Sequence, residues 1–195
     1  MTTSSARPTP AQTVGPFHGC ALPFPGGGDA APAGHPDTLV LHGHVRDGAG
    51  APVPDALLEF WGPGPDGELP RATGSLRRDP TTGGFLGRDG IGFTGFARVA
   101  TDADGHWAVR TLRPGARGGH APHLAVCVFA RGLTRHLFTR VYLPAADREQ
   151  TTDPLLAALP PERRATLVAV AEPRGSHRFD IRLQGAAETV FLEFA

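Results

Sequence analysis

An all-β sandwich of mixed and antiparallel strands, with a short helical insertion and a long N-terminal arm, is the architecture the sequence predicts. Three features point to it. Short runs of alternating apolar and polar residues recur from Leu39 onward, and turn chemistry rich in Gly, Pro and Asp falls between them. Only one stretch is compatible with a helix. A chain of 195 residues buries about 70% of its unfolded surface, enough for one core.

Residues 1–38 are rich in Pro, Gly, Ser, Thr and Ala and lack apolar periodicity, so they form the expected arm, set to lie over a partner chain. The sandwich domain is expected over 39–195. LVLHGHV (39–45) sets Leu39, Leu41, Gly43 and Val45 on one face and Val40, His42 and His44 on the other. ALLEFWG (56–62) follows the turn residues Asp47 to Gly50. Residues 63–95 read as loop. FARVATD (96–102) and HWAVRTL (106–112) flank Asp104-Gly105 and are expected to pair as a hairpin. HLAVCVFA (123–130) and HLFTRVYL (136–143) form a second pair around Arg131-Gly132. Helix is expected within 152–170, where Asp153 caps, Pro154 starts the first turn and Pro160-Pro161 interrupts. RFDIRLQ (178–184) and TVFLEF (189–194) end the chain as strands.

Composition narrows the chemistry. Nineteen basic residues balance nineteen acidic ones, which leaves no electrostatic footprint for nucleic acid or an anionic membrane. Every basic residue is Arg, so Schiff-base lysines and the P-loop lysine are excluded. Cys20 and Cys127 are too few and too far apart for a disulfide framework or a zinc site. Without an apolar leader or a run of roughly 20 apolar residues, a cytoplasmic protein is expected. Ser4, Ser5, Ser75 and Ser176 lack a nucleophile-elbow context, and Cys127 inside VCVFA reads as a small core hydrophobe. There is a single tyrosine, Tyr142.

Polar candidates remain. His42 and His44 share a strand face and could be two legs of a metal site, or solvent-side residues opposite an apolar face. His120 and His123 bracket the start of a strand, as ligands, acid–base groups or turn residues. Arg131 follows VCVFA at a strand end, where a guanidinium suits a carboxylate bidentately or forms an ordinary ion pair. His136, Thr139, Arg140 and Tyr142 continue this polar cluster.

Several stretches, in one order from Thr9 to the C-terminus, resemble the intradiol ring-cleaving dioxygenases, and more closely the alpha chains of their two-chain members. They are TPAQTVGPF (9–17), LHGHVRDGAGAPVPDALLEFWGPGPDGE (41–68) and FARVATDADGHWAVRTLRPG (96–115), then APHLAVCVFARGLTRHLFTRVYL (121–143) and RFDIRLQGAAETVFLEF (178–194). The resemblance implies a β-sandwich in which homologous alpha and beta chains pair, in higher-order assemblies. It implies an Fe(III) ion held by the beta chain through two tyrosines and two histidines, and O2-dependent opening of protocatechuate to 3-carboxy-cis,cis-muconate. One tyrosine cannot supply two tyrosinates. The paired His-x-His of the catalytic chain stands here as His123-Leu124-Ala125, and its preceding arginine falls near His120. By the same resemblance, Thr13, Gly15, Pro16 and Phe17 line the partner's substrate pocket, and Arg131 offsets the substrate carboxylate there. Related alpha chains usually carry Tyr at the position of Phe17, so a hydroxyl contact is lost. A non-catalytic binding module on the same fold, or a metal site drawn from His42, His44, His120 and His123, are the alternatives.

Overall fold

A computed structural model describes residues 10–70, 76–144 and 152–194. Ser4, Ser5, Thr9 and Ser75 lie outside them. Two sheets face each other. In the first, β1 (Thr38–Arg46) pairs antiparallel with β6 (His106–Leu112) along one edge. Its other edge takes β10 (Ser176–Arg178) and then β11 (Ile181–Arg182), both parallel, and β9 (Val170–Ala171) lies outside β10. The second sheet has the antiparallel order β5-β2-β7-β8, from β5 (Phe96–Ala100), β2 (Leu57–Trp61), β7 (His123–Phe129) and β8 (Leu137–Tyr142). A small hairpin, β3 (Leu76–Arg78) with β4 (Phe85–Arg88), stands apart. Helices α1 (His18–Ala21), α2 (Pro154–Ala158) and α3 (Pro161–Ala165) are short.

Alternation builds the core. Leu39, Leu41 and Val45 of β1 point inward to Leu58 and Phe60 of β2 and to Leu124, Val126 and Val128 of β7. The rings of Phe60 and Trp107 meet across the sheets at 4.9 Å between centroids. Truncating an aromatic at such a site costs about 3–5 kcal/mol. Gly43 sits where the strand leaving β10 crosses to become β11. A Cβ there would meet the Phe179 carbonyl oxygen at 1.9 Å, so the position must be glycine. Across this break the Asp180 carboxylate takes over from backbone and accepts from the His44 amide at 3.0 Å.

Three expectations need correction, and the arm gains a detail. Strands 96–100 and 106–112 are not a hairpin. β5 pairs with β2 and β6 with β1, so the Asp102–Gly105 turn is a corner between sheets. The expected loop 63–95 contains β3, exposed throughout, and β4, only partly buried, both too short to show a clear alternation. The final run, 189–194, is extended but joins the sheet by a single bridge, Phe138 with Leu192. Residues 24–31 of the expected arm lie on the chain's own sandwich. The Gly27 carbonyl accepts from Arg98 of β5 at 2.8 Å and the Gly28 carbonyl from Arg110 of β6 at 2.7 Å. Phe24, Ala30 and Ala31 are buried with them, so the segment covers the neighbouring edges of both sheets.

Candidate functional site

The first of two polar assemblies brings the N-terminal segment to the β7–β8 turn. Gly15, at φ +87°, turns the chain so that Pro16 and Phe17 lead into α1. The Phe17 carbonyl accepts from the Ala21 amide at 2.8 Å. His18, buried, anchors the turn. Its Nδ1 lies 2.9 Å from the Gly15 carbonyl oxygen and its Nε2 2.9 Å from that of Asp55. Asp55 precedes β2 at φ +62°, a left-handed conformation that Asp tolerates better than most residues. Its carboxylate pairs with Nη2 of Arg131, the first residue of the turn joining β7 to β8.

Asp55 therefore links the Gly15–His18 turn to Arg131, two elements 116 residues apart by the numbering of Gly15 and Arg131. Phe17 is 73% exposed and the Arg131 side chain 72%. Thr13 and Pro16 are exposed as well, and Gly15 is half-buried. A cleft of about 970 Å³ lies between Gln12, Val14 and the residues 133–138, but none of Thr13, Gly15, Pro16, Phe17 and Arg131 lines it. These five are presented on the surface rather than enclosed in that cleft.

The second assembly is buried. The Asp153 carboxylate accepts from the amides of Leu155 and Leu156 as the N-cap of α2, and from the Ala121 amide at 2.9 Å. It also accepts from the Tyr142 hydroxyl at 3.2 Å, and His120 Nδ1 lies between it, at 3.2 Å, and Arg140 Nη1, at 3.1 Å. Arg140 Nη1 donates to the same hydroxyl at 3.2 Å. Burial opposes ionisation of Asp153, but the bonds from Leu156, Ala121, His120 and Leu155 outweigh it and hold the carboxyl below its ordinary range. Burial pushes the Tyr142 hydroxyl up to about 12, against the pull of Arg140. His123 donates from Nδ1 to the Ala121 carbonyl at 2.8 Å and lays its ring 5.1 Å from that of Tyr142. Burial, seconded by the Arg140 charge, lowers its pKa and favours the neutral ring.

This donor set does not fit a ferric site of the kind the resemblance describes. The one tyrosine has a buried hydroxyl committed to Asp153 and Arg140, and Ala125 occupies the second histidine position. Among the described residues no group of three His, Cys, Asp or Glu could hold a metal ion. His42 and His44 do gain a neighbour that spacing did not reveal, because the register sets His106 opposite His44. Each of the three faces a carboxylate: His42 meets Glu172 at 2.8 Å, His44 meets Asp180 at 3.6 Å and His106 meets Asp102 at 4.0 Å. Burial, with Glu59 nearby, pushes the Cys127 thiol up to about 12, so it is no nucleophile. No helix among the described residues is long and apolar enough to cross a membrane.

No family model matches the chain. It is 39% identical to the protocatechuate 3,4-dioxygenase alpha chain of Burkholderia cepacia, an alignment spanning 97% of this chain and 99% of that one. Its identity to the protocatechuate 3,4-dioxygenase alpha chain of Pseudomonas putida is 32%, over 95% and 96% of the two chains. Among solved structures it resembles the dioxygenase domain of a dioxygenase–carbohydrate-binding fusion from Streptomyces. There the TM-score is 0.57 at 28% identity, covering 92% of this chain and all of that one, 100%.

Proposed function

The chain belongs to the protocatechuate 3,4-dioxygenase alpha-chain family of intradiol dioxygenases, and from that premise we propose that it completes the substrate pocket of a ferric beta chain without binding iron itself. The observation that carries this reading is the surface presentation of Phe17 and Arg131 on either side of Asp55. Residues that line a pocket are ordinarily enclosed; these become enclosed once a second chain covers them. In this reading the arm, of which residues 24–31 already lie on the sandwich, packs on that partner.

Arg131 meets the ring carboxylate of protocatechuate through charge-assisted hydrogen bonds and offsets its charge. Phe17 offers an aromatic face to the ring, and Gly15-Pro16 allows the backbone to come close to it. Thr13 supplies a hydroxyl at the rim. The ring opens between its hydroxyl-bearing carbons in the partner's site, with O2 consumed and 3-carboxy-cis,cis-muconate formed. The assembly is a cytoplasmic heteromer of alpha–beta pairs.

Iron content, visible colour and protocatechuate turnover of this chain alone, and then with its beta partner, test the reading. The expected result is a colourless, iron-free, inactive chain and a coloured, active complex. Iron and turnover in the chain alone would overturn the division of labour. A complex whose turnover equals that of the beta chain alone would reduce this chain to a binding module.

A further inference from the structure

The geometry points to Asp55 as a positioning residue that aims Arg131 at the substrate carboxylate while seating the turn that carries Phe17. This deepens the proposed function and rests on Arg131 meeting the substrate. Asp55 is held rigidly. It enters β2 beside Ala56, which is fully buried, and Thr101 Oγ1 donates to the Val53 carbonyl at 2.8 Å and accepts from the Ala56 amide at 2.9 Å. From this fixed point its two functional atoms diverge. The backbone carbonyl faces His18 Nε2 at 2.9 Å. The carboxylate turns to Arg131. Glycine at residue 19 eases the seating of helix α1 against Asp55, since a Cβ there would crowd the Asp55 Cβ at 3.3 Å.

Arg131 sits beside Gly132 on a turn, and its side chain is 72% exposed. An unrestrained arginine there would lose rotamer freedom each time it met a ligand. Pairing with Asp55 removes that freedom in advance. The pair uses Nη2, and a guanidinium carries further donors on Nη1 and Nε that can face a second carboxylate. Asp55 thus positions the cation without exhausting its donors. No signal in the sequence foretold this, because Asp55 lies 37 residues from His18 and 76 from Arg131.

The test uses the assembled alpha–beta enzyme carrying Asp55→Asn or Asp55→Gly, beside Arg131→Ala. Both Asp55 substitutions tolerate a positive φ and keep the carbonyl that meets His18. Steady-state constants are measured for protocatechuate and for catechol, which lacks the carboxylate. Both Asp55 variants are expected to raise KM for protocatechuate about three- to tenfold, with kcat within about twofold and KM for catechol unchanged. An equal rise for both substrates would make Asp55 merely structural and overturn the inference, as would a fall in KM. So would an unchanged KM for protocatechuate while Arg131→Ala raises it. If Arg131→Ala itself leaves KM unaltered, the reading of Arg131 falls, and the inference with it.

Discussion

Asp153 and Asp55 each tie a loop to the end of a strand, yet the carboxylates live in opposite surroundings. Asp153 is fully buried and collects three backbone amides, a phenol and an imidazole. Asp55 is about a third exposed on its side chain, at 31%, and faces one exposed cation. The first arrangement leaves no lone pair available to an incoming group, so it can only stabilise. The second leaves both the cation and its partner within reach of a ligand. The buried carboxylate closes a hydrogen-bonded hub, while the surface pair stays open to solvent.

The contrast is broken most severely at Asp153. Asp153→Ala strands the phenol, the imidazole and three amides, and is expected to lower unfolding free energy by about 3–5 kcal/mol in urea titrations. Loss of less than about 1 kcal/mol would mean the hub is not structural. Acid should expose the same carboxylate. Its folded pKa is below the unfolded value, so its stabilisation is complete above about pH 4 and disappears as pH falls through the folded value. Unfolding midpoints measured between pH 5 and pH 2 should fall in the native chain, and the drop should be smaller in Asp153→Asn. The mildest change is at the surface. Arg131→Ala in the isolated chain should alter stability by less than about 1 kcal/mol, as an exposed pair does.

Much of the sandwich was legible because its strands alternate. LVLHGHV placed Leu39, Leu41 and Val45 inward, and β7 and β8 paired around Arg131-Gly132 as their turn chemistry implies. The Asp104-Gly105 turn misled because a turn signal is local, whereas the choice of sheet depends on which distant strand wins the edge. β3 and β4 escaped notice because strands of three and four residues are too short for an apolar alternation to stand out. The site was partly legible too. Asp153 read as a helix cap, which is half of its role; its bonds to Ala121, His120 and Tyr142 come from other elements and have no spacing to betray them. Arg131 stood out as a cation ending an apolar strand, but its link through Asp55 to the Gly15–His18 turn exists only in three dimensions.

The central claim is that a surface arginine of an iron-free chain recognises the substrate of its partner. KM and kcat for protocatechuate in the assembled enzyme carrying Arg131→Ala test it most directly. A charge-assisted bond contributes about 1.5–3 kcal/mol, so KM should rise by roughly 10- to 150-fold with turnover little changed. An unchanged KM would contradict the account.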